Sequence, residues 1–494
     1  MATSKLPPPT RSPKPRRPAP RKKPKPAPTP PPDLLRTRWS PPQLLRLFRK
    51  LLPVSLLAGW LALSPRTFYH RAFTPLVTLW YCIFQRLSPN HHLSQVQQDA
   101  RAGGADHLSP RGKPLSQQLH SEATTSFSDA RQRLPLGLFH NTLRHTAAQM
   151  SCAFPIPERF GLKVALMDGT TCRLRPFQDI PKEFPPHRPG NCKKPPYWCL
   201  ARIVGLFCLS TGAVLDSAMG SLKTSEQALC STLLKRLGEK WLLVADRNFG
   251  VYSVVCAAVA AQAHLLVRLT QARAAKLARL AGLSLAPGLD ALLRWSPSSH
   301  DQCPAGLPRI PVTGRLVVVR IQRPGYRPMT LYLFTTLQDQ LQCSAQELAQ
   351  LYGERWKVEL CFRYVKAQMD LGLLECHSAD MAHKEWLAGL IAYNLIRWTM
   401  AAAAAVAQVP LRLLSFSRAR ELLLGWCLRT SGRVGALASW QRLLTRIAKA
   451  RLPKRRKARP SEPRAVRHFH KDVAKLEGSR AAARQKLAES NANS

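Results

Sequence analysis

Apolar positions change their period near residue 150, and the change divides the chain into a helical part and a part built of strands and helices. In Gln43–Leu63 and Thr74–Leu87 apolar residues recur at the spacing of one helix face. A polar, Gly-containing stretch over 99–114 reads as a loop, and a further helix is predicted from Ser126 to Met150. Short apolar runs then take over. Val164–Met167 ends at Asp168-Gly169, a turn signal, and Leu200–Leu209 is β-rich. The Ser210-Thr211-Gly212 turn lets Ala213–Met219 return as a strand, and Thr224-Ser225-Glu226 opens a helix to about Leu237. Trp241–Ala245 ends at Asp246; a helix over Tyr252–Ala261 and a strand over His264–Leu269 follow. The order strand, strand, strand, helix, strand, helix, strand predicts a mixed sheet with helical crossovers, an α/β core.

The outer boundaries follow from composition. Residues 1–32 hold 13 Pro and nine Lys or Arg with no acid before Asp33, so residues 1–40 read as a disordered basic arm. Residues 41–150 form the helical region, 151–269 the first part of the α/β core, and 270–338 a β-rich insertion. The insertion contains Leu316–Ile321 and Thr330–Thr336, separated by Pro324-Gly325. Helices resume at Ala345, giving a second part of the core over 339–428. Residues 429–494 are a basic tail centred on Lys454-Arg455-Arg456-Lys457.

Charge narrows the class of partner. Lys and Arg number 74 against 28 Asp and Glu, a formal net charge of +46. Such an excess favours a polyanion, and nucleic acid over a membrane surface. The 13 Cys form no C-x-x-C pair, which argues against structural zinc and for reduced thiols in a cytoplasmic protein. The N-terminus lacks the apolar segment of an export signal. Leu51–Leu63 is short and broken by Pro53, and Ala388–Val409 carries Asn394 and Arg397, so both read as buried helices and no membrane association is expected.

Candidate chemistry lies on carboxylates. Asp168 and Asp246 each follow an apolar run, at the strand end where an α/β core presents ligand-binding side chains. Acids gathered there repel one another unless protonated or bound to cations, and Mg2+ accepts such oxygen donors. Taken singly, either Asp is more simply a turn residue. A third acid stands in the segment Leu351–Lys366. At about 100° per residue, Tyr352, Arg355, Glu359 and Lys366 share an arc of about 60°, while Glu354 points elsewhere. The apolar residues Leu351, Val358, Phe362, Val365 and Met369 lie beside that arc, so the helix can pack on a sheet and aim Glu359 into a cleft. On this face Glu359 suits a metal shell, Arg355 and Lys366 suit phosphates, and Tyr352 offers a hydroxyl. A solvated face of i,i+4 charge pairs would show the same residue types.

The spacing Y-x2-R-x3-E-x6-K of Tyr352, Arg355, Glu359 and Lys366 resembles the signature of the insertion-sequence-four family of DDE transposases. Met167-Asp168-Gly169-Thr170 is similar to that family's first-Asp motif, and Ala245-Asp246-Arg247-Asn248-Phe249-Gly250 to its second, with Asn248 where Gly is usual. Ala130–Pro135 and Tyr393–Arg397 also resemble recurrent family segments, and the likeness runs over about 70–400. It implies a ribonuclease-H-like catalytic core with a β-rich insertion before the Glu, preceded by a helical domain. The 113-residue gap from Asp246 to Glu359 leaves room for that insertion.

The resemblance further implies cut-and-paste transposition at the terminal inverted repeats of an insertion sequence, in a prokaryote. Asp168, Asp246 and Glu359 would be the catalytic, Mg2+-binding acids, with Mn2+ as an alternative ion. Tyr352, Arg355, Lys366 and Arg247 would contact DNA. Trp295, in the insertion, is a candidate for stacking on a flipped base, set against a place in the core. Region 41–150 is a candidate for binding the element ends. The partners would be double-stranded DNA, as element ends and target, and a second copy in a synaptic homodimer. An inactive DNA-binding descendant, or a metal-dependent nuclease on the same fold, are the alternatives.

Overall fold

A computed structural model of the chain describes Phe48, residues 51–64, 68, 72–453, 465–466 and 474–492, except 89, 109–112, 155–156, 188–195, 302, 304–305, 308, 324–325 and 431–436. The Pro-rich arm, Pro324-Gly325 and the Lys454–Lys457 cluster lie outside the described residues.

The helical part contains α1 (Val54–Ala62), α2 (Pro75–Leu87), α3 (Leu93–Arg101), α4 (Thr125–Arg133) and α5 (Leu136–Ala153). Thr74 starts α2: its hydroxyl accepts from the Val77 amide, and Pro75 takes the first helical position, where no amide hydrogen is needed. Every residue of α2 is buried. The predicted helix from Ser126 to Met150 is two helices. Leu134 and Pro135 take extended ψ angles of 133° and 142°. Proline has no amide hydrogen and its ring drives the preceding residue out of the helical region, so α4 must end there.

Beyond residue 160 the chain builds a nine-stranded sheet. Its strands are β1 (Lys163–Leu174), β2 (Cys199–Cys208), β3 (Val214–Ser221), β4 (Trp241–Ala245), β5 (His264–Arg268), β6 (Asp290–Trp295), β7 (Val312–Arg323), β8 (Tyr326–Thr335) and the short β9 (Leu373–Leu374). The spatial order is β3-β2-β1-β4-β5-β8-β7-β6, with β9 also on β1. Strands β1, β4 and β5 are mutually parallel, and the outer pairings are antiparallel. Helix α6 (Glu226–Leu234) joins β3 to β4, and α7 (Tyr252–Ala260) joins β4 to β5. Segment 270–338 contributes α8 (Gln271–Leu280) and then β6, β7 and β8 to this same sheet.

β1 departs from its predicted form. Asp168-Gly169 is not a turn; the strand runs through both to Leu174 because β2 pairs with it from Ala165 to Leu174. What does end at Asp168 is the other neighbour. β4 pairs with Lys163–Met167 and stops at Ala245, and β9 rejoins only at Arg173. Among the described residues no strand lies beside that edge of β1 from Asp168 to Cys172.

Side chains alternate between the two faces of a strand. Val164, Leu166 and Cys172 enter one core with α2, α5 and the C-terminal helices; Ala165 and Met167 enter a second with α6, α7 and α8. The first core is organised on α11 (Ala379–Ala407), reached through α9 (Ala345–Gly353) and α10 (Lys357–Arg363). The most apolar window of α11 is 78% buried within the protein, so its hydropathy belongs to packing. Its Tyr393–Arg397 segment pins the β2–β3 hairpin. The Tyr393 hydroxyl donates to Gly212 O at 2.9 Å, the Asn394 amide exchanges two hydrogen bonds with the Val214 backbone, and Arg397 donates to Thr211 O. Gly212 stands at φ 68°, and a Cβ there would strike the Arg397 guanidinium.

Candidate active site

The open edge of β1 collects the predicted residues from three directions. Asp168 sits on β1 at its start. Asp246 follows the last residue of β4, and its Oδ1 accepts from the Asn248 amide at 2.9 Å, which holds the loop after the strand. Glu359 arrives on α10, over the face that buries Val358 and Phe362.

The Glu-bearing segment starts firmly. Ser344 accepts from the Glu347 amide and the Glu347 carboxylate accepts from the Ser344 amide at 3.1 Å, a reciprocal cap that contributes about 1 kcal/mol. It is not one uniform helix, as the angular wheel assumed. A tight 3-10 turn, Glu354–Trp356, separates α9 from α10, and a wide π turn, Tyr364–Gln368, follows. Both change the rotation per residue. The local consequence for Arg355 and Glu359 is small, since only one turn lies between them.

Arg355 is the centre of the arrangement. Its Nη1 stands 3.5 Å from Asp168 Oδ2 and its Nη2 donates to Glu359 Oε1 at 3.0 Å. Lys366, from the π turn, donates to Thr170 Oγ1 at 3.2 Å, two residues along β1 from Asp168. Tyr352 is buried at the end of α9; burial pushes its hydroxyl up, while the guanidinia of Arg355 and Arg268 pull it down. Glu354 faces away, paired with Lys357 and 3.7 Å from Arg159.

Burial pushes the Asp168 carboxyl up to about 6; its bond from the Gly169 amide and Arg355 oppose the shift, and Asp246 and Glu359 add to it. Asp168 thus feels both other acids and shares one arginine with Glu359. Among the described residues no three His, Cys, Asp or Glu side chains lie close enough to enclose an ion as they stand.

Arg247 is exposed and lines a cavity of about 360 Å3 with Arg268, Thr270, Gln271, Thr330 and Tyr332. The buried Arg268 Nε has no hydrogen-bond partner there. Trp295 does not join the site. It is 4% exposed, with its ring edge-on to Phe334 at 4.9 Å and to Tyr252 at 6.5 Å. A ring enclosed by core neighbours presents no face to a base, so the stacking role expected of it does not fit. The exposed aromatic at the site is Trp356, 65% exposed, with the Arg355 guanidinium carbon 5.5 Å from its ring centre. Helical angles alone did not mark it; its position between Arg355 and Glu359 was the available signal.

Comparison with known proteins identifies the class of protein this chain resembles. A family model described as the transposase DDE domain matches residues 159–395, which contain all three acids. The transposase InsG for insertion sequence element IS4 of Escherichia coli (strain K12) is 25% identical over 332 residues, 66% of this chain and 70% of that protein. A protein named "Probable transposase for insertion sequence element IS5377", from Geobacillus stearothermophilus, is 31% identical over 106 residues, 21% of this chain and 27% of that one. A solved structure of the piggyBac transposase synaptic complex with hairpin DNA aligns over 84% of this chain and 86% of that one at 10% identity, with a TM-score of 0.38, too slight a likeness to carry an argument. Residues 159–395 thus match a transposase DDE domain, and 66% of the chain is similar to an IS4 transposase, which supports an enzyme that acts on DNA.

Proposed function

We propose that the protein cuts and rejoins DNA at the terminal inverted repeats of an insertion sequence, using Asp168, Asp246 and Glu359 to hold divalent cations at the open edge of β1. The observation that supports this best is the Arg355 bridge between Asp168 and Glu359 beside an acid whose carboxyl is pushed up to about 6. A half-buried cluster of acids short of positive charge, in a chain of net charge +46, calls for cations. Carboxylate oxygens are hard donors and fit Mg2+, or Mn2+ in its place. Since among the described residues no three acids enclose an ion as they stand, closing on one requires a side chain to move. When bound, such ions supply Lewis acidity for activating a nucleophile and stabilising the leaving oxygen of an in-line displacement.

The chain's own groups do the rest. Arg355, released from Glu359, has a fork suited to two phosphate oxygens, and Lys366 adds a point charge. Arg247 and Arg268 line a polar cavity that suits a further phosphate. Tyr352 backs Arg355 from the buried side, and Trp356 offers the ring face that Trp295 lacks. The strand order with an acid on β1 and another after β4 supports a ribonuclease-H-like core, into which 270–338 is inserted. Region 41–150 is proposed to bind the element ends, and synapsis would join two copies.

Incubating purified protein with Mg2+ and DNA bearing the element ends tests this. Excision followed by strand joining is the expected result. Cutting without joining would indicate a nuclease, and binding without cutting under Mg2+ and Mn2+ would defeat the enzymatic proposal.

A further inference from the structure

Opposite Glu359, on the other face of the sheet, a fourth carboxylate reaches β1. Gly169 turns toward that face, since neighbours on a strand alternate. A Cβ on Gly169 would lie 2.3 Å from Glu226 Cδ and Oε1. Only glycine therefore lets the Glu226 carboxylate rest on the strand beside Asp168. From there Glu226 Oε2 accepts from Asn248 Nδ2 at 2.5 Å. The amide orientation is set by a second neighbour: Gln227 Nε2 donates to Asn248 Oδ1 at 3.0 Å and to Asn248 O at 2.8 Å. With its oxygen facing a donor, the Asn248 amide must turn its NH2 to an acceptor. The Asn248 backbone amide in turn donates to Asp246 Oδ1 at 2.9 Å.

We propose that Glu226 is a positioning residue of the active site: through Asn248 it fixes the Asp246 carboxylate at the end of β4. The proposal rests on the assignment of Asp246 to the metal-holding set. Glu226 is well anchored for the task. It is the first residue of α6, Ser225 caps that helix by accepting from the Ala228 amide, and a negative charge is favoured in the first turn. Asn248 stands where the resembled family usually has glycine, so the amide that receives Glu226 is supplied by this chain. An exposed contact of this kind adds little to global stability. Its effect falls on one carboxylate, whose aim decides how tightly an ion is held.

The test uses full-length protein and three variants, Glu226→Ala, Glu226→Gln and Asn248→Ala, with the Glu226→Ala/Asn248→Ala pair. Mn2+ binding without DNA is measured by electron paramagnetic resonance, single-turnover cleavage at saturating end DNA, and end-DNA affinity separately. Glu226→Ala should weaken Mn2+ binding and slow cleavage by roughly tenfold each, within the range for losing a partner of a metal-holding group, with DNA affinity unchanged. Glu226→Gln keeps an oxygen acceptor and should recover most of both. The double variant should be no worse than either single one, since both break one chain of bonds. Should Glu226→Ala fail to fold, Asn248→Ala carries the same expectation from the other side. Wild-type Mn2+ binding in Glu226→Ala, a Gln variant as damaged as the Ala variant, or additive losses would overturn the proposal. If Asp246→Asn abolishes cleavage while Glu226→Ala behaves as wild type, only the positioning role falls; if Asp246→Asn still cleaves, the three-acid assignment falls with it.

Discussion

Asp216 and Asp168 are both acids sunk into the sheet, one on β3 and one on β1, and their surroundings treat them in opposite ways. Asp216 is fully buried, yet Arg144 stands 2.8 Å away and His140 and Arg236 3.6 Å away. Burial alone would push its carboxyl up, but His140 and Arg144 beside it outweigh burial and hold it below the ordinary value. Asp168 is less buried, but its burial is not offset: the Gly169 amide and an arginine shared with Glu359 oppose it only in part, two nearby acids add to it, and its carboxyl rises to about 6. Two tryptophans repeat the contrast: Trp295 is enclosed among core rings, and Trp356 stands in solvent over the site. An acid that holds the fold is surrounded by charge already matched to it. An acid kept for chemistry is left short, and the shortfall is what a cation or a phosphate-bearing partner answers.

The largest test of that contrast is Glu359→Gln, which should slow cleavage at least about a thousandfold with end binding nearly intact. Glu354→Gln should stay within about threefold, because its partners lie outside the cleft. If Glu354 is the lethal position, the cleft is misassigned. Next come the residues that hold the fold. Trp295→Ala should cost about 3 kcal/mol in urea unfolding through the cavity it leaves, with end-DNA affinity of the folded protein unchanged. Asp216→Ala should cost about 3 kcal/mol at pH 7, because it strands arginine and histidine against a buried strand. Its carboxyl is depressed in the folded state, so the wild-type advantage is present above 3.8 and is lost as the pH falls below that value.

Asp168→Asn should act in the other direction. The folded state binds the Asp168 proton more tightly than the unfolded chain, so the cost of ionising it appears as the pH rises through 3.8 and is complete above about 6. Metal-free Asp168→Asn should therefore be more stable than wild type by about 2–3 kcal/mol at pH 8 and no more stable below pH ~4. Equal stability at both values would remove the contrast with Asp216. Smallest is Trp356→Ala, expected to slow cleavage about threefold to tenfold with no loss of melting temperature, as for a stacking contact.

Much of this could be read from residue order. The strands β2, β4 and β5 and the helices α6 and α7 fall within a few residues of their apolar runs, because each run is buried on a sheet or helix of simple period. Glu359 was separable from Glu354 because a single helical turn ties it to Arg355. Three features were hidden. Asp168-Gly169 carries the local signature of a turn, and only the distant β2, pairing from Ala165 to Leu174, overrides it. The break at Leu134-Pro135 was legible from the proline but was outweighed by apolar spacing on both sides. Trp295 could be placed on a strand, but whether a tryptophan faces a core or a groove depends on Phe334 and Tyr252, each about 40 residues distant in sequence.

The sheet's far side has a mechanical consequence. Arg268 pairs with Leu333, and the Leu269 amide donates to Tyr332 O at 2.7 Å, so β8 is bonded directly to the strand that ends at the cavity lined by Arg247 and Arg268. The segment 270–338 is therefore geared to the core rather than hung from it. A load applied to β6 or β7 passes through a continuous ladder of amides, by way of β8, to Arg268. Slow-exchanging amides should run without interruption from β5 across β8 and β7, and a change of length should be tolerated in the connection between β6 and β7 before it is tolerated within β5, β7 or β8.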